Sequence, residues 1–320
     1  MASVSLNSTS ASALSVLTGS TAALEKTQKT IATGKSVDSA ADNPAYWSIA
    51  TTMKADNLSM SSMEDATALS SAVTDTAAFG LQQATDIVSD IQAKLISAKA
   101  VGADKSAING DISQLKDQLT STIQSASFNG QNLLQLGAGQ SPKIVSMVSS
   151  VGTDGNGNLS VNVTSIDTAK TTLISQNNAN DGILTRSNIG ISSDGNTYDY
   201  QLLKVVSGGS SSSPTAVEIA LSNSTSNAEI DGMVSATNSI LSSLTDASAA
   251  IGTSQNSIKS NSKQLQNLQD LNSSAIAKLT GANMGHAFMQ LMAQKAQQQL
   301  QTEGLNIANS DQRNVTKLFM

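Results

Sequence analysis

The sequence predicts a mainly α-helical chain. Long coiled-coil helices from both termini pack together, and a small β-rich outer domain is inserted between them. Three observations carry this. Both ends repeat apolar positions at heptad spacing on an Ala/Ser/Thr/Gln background. Residues 141–232 lose that period and turn to Gly, Ser, Asn and Asp with strand-type alternation. Aromatic residues make up only 2% of the 320-residue chain, too few for a thick core, so thin packing by Ala, Leu, Ile and Met fits better.

The first helix has its seam at Leu14, Leu17, Thr21, Leu24, Gln28 and Ile31 and stops at Gly34. Ser/Thr/Asn fill residues 3–12, so the extreme N-terminus is expected to fray in the lone molecule. Asp42 or Asn43 caps a second helix, with Pro44 at its first position. It is expected to run to Gly102 through Leu81, Ala84, Val88, Ile91, Leu95 and Ala98, with Gly80 as a weak point. A third helix carries Ile108, Ile112, Leu115, Leu119 and Ile123, and Asn109-Gly110 delays its start toward Asp111. Asn129-Gly130 reads as a hairpin turn.

Strands are expected at 145–151, 159–163, 199–206 and 216–221, with Ser207 to Pro214 an exposed flexible loop. The helical pattern returns at Met233. Leu244, Ala247, Ile251, Ser254, Ile258, Asn261, Leu265, Leu268, Asn272, Ala275 and Leu279 keep strict three-four spacing. A break at 281–285 precedes a last helix from Ala287 to Leu318. Three layers follow: terminal helices at 1–43 and 280–320, a helical bundle at 44–140 and 233–279, and the β-rich surface domain at 141–232.

The chain holds no Cys, which excludes disulfides, thiolate nucleophiles and Cys metal sites. The one His, His286, stands away from any carboxylate pair and reads as a helix-start residue, not a ligand. Asp154, Asn156 and Asn158 alternate, but no Glu follows where a calcium loop needs one. No HExxH or Walker loop occurs, so no catalytic, metal or cofactor site is expected. Tyr46 and Trp47 read as core packing, and the Met residues at 53, 60, 63, 284, 289 and 292 as gap fillers. The start shows no secretory signal peptide and no run approaches a membrane span. The net charge of −6 divides into −4 for residues 1–140, −4 for 141–232 and +2 for 233–320. No basic cluster points to nucleic acid.

Several separated motifs carry a family likeness. They are Ser39-Ala-Ala-Asp-Asn-Pro-Ala-Tyr-Trp-Ser-Ile-Ala-Thr-Thr-Met53, Ser125-Ala-Ser-Phe-Asn-Gly130, Gln297-Gln-Gln-Leu300, Leu305-Asn-Ile-Ala-Asn-Ser310 and the terminal apolar pair Leu318-Phe319. In order and spacing they resemble bacterial flagellins, and look most like the short, rhizobial-type flagellins of α-proteobacteria. Residues 311–317 are more polar than that pattern.

The resemblance implies a structural subunit that polymerises into the helical flagellar filament for swimming. It implies export through the flagellar type III apparatus to the cell exterior. It also implies partners: further copies, other flagellins, the filament cap, junction proteins and an export chaperone. A hook–filament junction protein, or an adhesin working through the outer domain, is the alternative. Many flagellins carry an Arg-bearing patch read by an innate immune receptor. The matching stretch here, Ile91-Gln-Ala-Lys-Leu-Ile96, has no Arg, which predicts weak recognition. The polymerisation interface is expected at Leu14, Leu17, Leu24, Ile31, Phe288, Leu291, Leu300, Leu305, Ile307, Leu318 and Phe319.

Overall fold

Helix α1 (Ser8–Thr33) ends where Gly34 adopts φ +68°, a left-handed stop that donates its N–H to the Thr30 carbonyl. Helix α2 (Pro44–Ser97) starts on Asn43, whose Oδ1 accepts from the Tyr46 N–H at 3.1 Å. The computed structural model describes residues 8–153, 159–204 and 216–318. These fall into two units, one of Met1–Ser59 with Gln269–Met320 and one of Met60–Leu268.

The larger unit contains residues 60–97 of α2, helix α3 (Lys105–Ser125) and residues 227–268 of α5 (Asn227–Thr280). Within it α2 and α5 run antiparallel. Gln92 Nε2 donates to Asn238 Oδ1 at 2.6 Å, and Gln255 Nε2 to Asp75 Oδ1 at 2.7 Å. The predicted seam of α2 is the buried one: Leu81, Ala84, Val88, Ile91, Leu95 and Ala98 are all inaccessible. They meet Ile112, Leu119 and Ile123 of α3 and Ile240, Leu244 and Ile251 of α5 in a single core.

Four helix boundaries differ from the sequence reading. α2 ends at Ser97, short of Gly102. α3 begins at Lys105 rather than Asp111, because Asp104 accepts from the Ser106 and Ala107 N–H groups. α5 begins at Asn227, not Met233. There Ser226 and Glu229 form a capping box, Ser226 N–H to Glu229 Oε2 at 2.6 Å and Glu229 N–H to Ser226 Oγ at 3.2 Å. α6 (Met284–Leu318) begins three residues before Ala287, on an Asn283 cap. Gly80 is no weak point. It is buried, and a Cβ there would stand 2.5 Å from the Ala126 Cβ, so glycine is what lets α2 meet the end of α3.

The β-rich part holds three small sheets. β1 (Gln135–Leu136) pairs in parallel with β4 (Ile174–Ser175). β2 (Ile144–Thr153) and β3 (Leu159–Asp167) form an antiparallel ladder with a register shift between Val148 and Ser150. A one-turn α4 (Thr168–Thr171) follows β3. β5 (Asn188–Ile191), β6 (Thr197–Gln201) and β7 (Val217–Glu218) make the third sheet. β6 and β7 are shorter than expected, and β1, β4 and β5 were not foreseen. Phe128 and Gln131 exchange both backbone hydrogen bonds across Asn129-Gly130, with positive φ at both turn residues, as the Asn-Gly pair predicted. The expectations for the 207–214 loop and for Asp154, Asn156 and Asn158 lie outside the described residues.

This part is fastened to the helices by particular side chains. Gly190 lies so close to Gly232 of α5 that a Cβ would strike the Gly232 carbonyl. Tyr200 Oη donates to the Glu229 carbonyl at 3.3 Å, and burial raises its phenol pKa. The segment around β7 is held along one face of α3. Lys116 Nζ reaches Glu218 Oε1 at 2.7 Å and the Ile219 carbonyl at 2.6 Å. Asn109 Oδ1 accepts from the Leu221 N–H at 2.7 Å, and Lys105 Nζ donates to the Thr225 carbonyl at 2.6 Å.

Candidate assembly interface

In the smaller unit α1 packs against α6, and the partners fix the direction as antiparallel. Ser10 Oγ donates to Asn309 Oδ1 at 3.0 Å, and Gln298 Nε2 to Thr21 Oγ1 at 3.3 Å. The loops beyond the helices also join: Ser36 N–H donates to the Thr280 carbonyl at 2.7 Å, and Ala282 N–H to the Gly34 carbonyl at 2.9 Å. Asp42 does not cap α2. Its carboxylate accepts from the Ser39 hydroxyl and from the Asp38 and Ser39 N–H groups, which together hold its pKa below the usual range.

The covered side of this helix pair mixes aliphatic with small polar residues. On α1 the half-buried and buried positions are Ser10, Ala13, Leu17, Ser20, Thr21, Leu24, Thr27, Thr30 and Ile31. The predicted seam is therefore right at Leu17, Thr21, Leu24 and Ile31 and one residue off at its other two members: Leu14 and Gln28 are exposed, whereas Ala13 is half-buried and Thr27 buried. On α6 the matching row is Met284, Ala287, Leu291, Gln294, Gln298, Gln301 and Leu305, with three glutamines at its centre. Small and polar residues let the helices come close but bury little oily surface. Five buried side-chain atoms among the described residues lack a hydrogen-bond partner: Ser20 Oγ, Asn57 Oδ1, Gln269 Nε2, Gln294 Oε1 and Gln301 Oε1. All five belong to this unit.

Large apolar side chains stand bare on the open side. Leu14 is 56% exposed, Phe288 51%, Leu300 73% and Ile307 56%. The interface residues expected from sequence therefore divide. Leu14, Phe288, Leu300 and Ile307 face outward, while Leu17, Leu24, Ile31, Leu291 and Leu305 are half-buried or buried. The Leu318 side chain and the whole of Phe319 lie outside what is described.

Tyr46 and Trp47 are exposed rather than packed in a core, because Ala50 is the residue the first turns of α2 bury. Met289 and Met292 are exposed too, so they fill no gap. Ile49, Leu58 and Leu271 complete the outward apolar set of this unit and were missed. Their signal was apolar residues standing off the heptad seam.

His286 sits in the first turn of α6, its N–H donating to Asn283 Oδ1 at 3.1 Å. Among the described residues no His, Cys, Asp and Glu group is placed to hold a metal, and no helix is long and apolar enough to cross a membrane.

Comparison with known proteins agrees with this geometry. Residues 4–137 match the family described as the bacterial flagellin N-terminal helical region, and residues 234–319 the bacterial flagellin C-terminal helical region. The whole chain aligns at 35% identity with Flagellin C of Rhizobium meliloti (strain 1021), covering 99% of it. It aligns at 29% with Flagellin A of Rhizobium meliloti, covering all of both chains. It aligns at 30% with a flagellin of Brucella melitensis biotype 1, covering all of this chain and 99% of that one.

Proposed function

The chain belongs to the bacterial flagellin family, and from that premise we propose how its residues divide the work of a filament subunit. Members of this family are structural proteins, and this one is a subunit of the helical filament that serves swimming motility. It assembles with copies of itself, outside the cell. It performs no catalysis.

The single observation that carries the assignment of the interface is the set of large apolar side chains left bare on the α1–α6 pair. Glutamines are covered and Phe288, Met292 and Leu300 are bare. Water-exposed area of that kind is stabilised by burial at about 25 cal/mol per Å2, and only other copies repeat the same surface along a polymer. Leu14, Phe288, Leu300 and Ile307 make the contacts between copies, with Leu318 and Phe319 extending them. Leu17, Leu24, Ile31, Leu291 and Leu305 hold α1 to α6 so that the contact face is presented.

Residues 1–43 and 280–320 form the inner layer of the filament, 44–140 and 233–279 the surrounding bundle layer, and 141–232 the surface. An export chaperone meets the same apolar ends before type III export, and the cap, the junction proteins and other flagellins meet them after it, during assembly.

The test is removal of residues 301–320 followed by seeded polymerisation and negative-stain electron microscopy. The expected product is a folded, soluble chain that forms no filaments. Filaments of normal width from the truncated chain would contradict the assignment.

A further inference from the structure

The larger unit carries two surface features that its own fold does not use. Phe79, on α2, is 66% exposed although it is the largest apolar side chain in its stretch. Beside it on the same helix, Asp86 and Asp90 stand exposed and hold no ion pair with any described residue. The second feature is a groove of about 530 Å3 between α2 and α5, floored by Ala68, Ala72 and Ile258. Its rim is basic. Lys259 is drawn to Asp75 of its own chain at 3.3 Å, while Lys263 has no carboxylate partner among the described residues.

We propose that this groove receives Phe79 of a neighbouring copy in the filament, with Asp86 of that copy set against Lys263. The inference rests on the filament reading and adds a second contact face, outside the terminal helices. Size, charge and spacing agree. A phenyl ring needs an apolar, open pocket, and Ala68 and Ala72 leave room that larger side chains would fill. Asp86 and Asp90 lie beside the knob, and beside the groove Asp75 and Lys259 neutralise each other and leave Lys263 in surplus, so two copies attract when the knob enters. Asp86 stands two turns beyond Phe79, roughly 10 Å at 1.5 Å per residue, and Lys263 stands roughly 8 Å along α5 from Ile258, so both pairs fit one docking. A knob and a groove at different places on one chain make a head-to-tail contact, which repeats from copy to copy instead of closing on a dimer.

The experiment is seeded polymerisation of the full chain, read as the critical concentration by sedimentation. F79A is expected to raise it about tenfold, the scale of losing one buried aromatic anchor at an interface. D86K and K263D are each expected to raise it several-fold. The D86K/K263D chain should return close to the wild-type value at low salt, with the differences fading as salt screens the pair. All three positions are exposed, and far-UV circular dichroism of the monomers checks that folding is intact.

The absence of native Cys allows a second reading. F79C/A68C filaments treated with diamide, which takes up the two thiol hydrogens as each disulfide forms, should give a ladder of covalent oligomers that monomers do not give. An F79A chain that polymerises like wild type, a double reversal worse than either single, or filaments without a ladder overturns the proposal. A wild-type chain that never polymerises under seeding removes the filament reading itself, and the contact with it.

Discussion

The two units use their apolar residues in opposite ways. In residues 60–268 the large aliphatic side chains point inward: Leu81, Ile91, Leu95, Ile112, Leu119, Ile123 and Ile230 are sealed from solvent. Every residue of the continuous hydrophobic core belongs to that unit. Among the described residues of the unit of the chain ends no large side chain is fully buried, the covered seam mixes Leu and Ile with Ser, Thr and Gln, and Leu14, Phe288, Met292, Leu300 and Ile307 face out. One unit is a finished fold. The other leaves large apolar side chains bare and buried amides unpartnered, which is what the proposed contact between copies would cover.

That contrast is sharpest for two similar truncations. Ile91→Ala empties a sealed site where α2, α3 and α5 meet, and should cost about 2–5 kcal/mol of monomer stability in chemical unfolding. Leu300→Ala removes a side chain that is 73% exposed, and should change monomer stability by less than about 0.5 kcal/mol while sharply weakening polymerisation. Equal losses of stability in the two variants would break the comparison.

Much of this division was legible in the sequence, and the part that was not has a physical reason. The seam of α2 was read correctly because its apolar row is unbroken, and a buried helix face needs just that period. The seam of α1 missed by one residue at two of its six members because the covered residues there are Ala13 and Thr27, not Leu14 and Gln28. Hydropathy gives small polar residues no weight, yet they decide how closely two helices approach. The early start of α5 was written in Ser226 and Glu229, a capping box hidden by the polar residues around it. Tyr46 and Trp47 misled because large aromatic residues are taken as core in a lone chain, whereas a polymer subunit keeps some of them for its partners.

The finished unit also contains a charge that tests how finished it is. Lys116 is almost wholly buried, and desolvation lowers its pKa while Glu218 pulls it back up. Glu218 also holds Lys204 at 3.5 Å. Glu218→Gln leaves the buried ammonium facing only a carbonyl and an amide, and should cost about 3 kcal/mol. Lys116→Met should be near neutral, or stabilise by about 1 kcal/mol, since Glu218 keeps Lys204. Because the folded-state pKa of Lys116 is depressed, the native state releases its proton first. Stability therefore rises with pH between that depressed value and the ordinary lysine value, and Lys116→Met should flatten that rise. Gly80→Ala belongs to the same unit: its new Cβ, 2.5 Å from the Ala126 Cβ, should cost about 1–3 kcal/mol by thermal or chemical melting, despite the better helix former.

The smallest expected effect lies where α5 begins, at the edge of the packed unit. Ser226→Ala removes a hydroxyl that accepts from the Glu229 N–H, and should cost about 1 kcal/mol. Glu229 in turn accepts from the Ser226 N–H, the main cause of its lowered pKa, with the Ser226 hydroxyl second. A carboxylate held low in the folded state contributes stability that is complete above its unfolded pKa and is lost as pH falls through the folded one. Wild-type stability should therefore fall as pH drops through that acid window, and Glu229→Gln should remove this contribution while sparing the helix. If the two chains lost stability in parallel through the window, the capping box would be only a crossing of two side chains, and the start of α5 would have to be held by Ile230 and Met233 packing in the core.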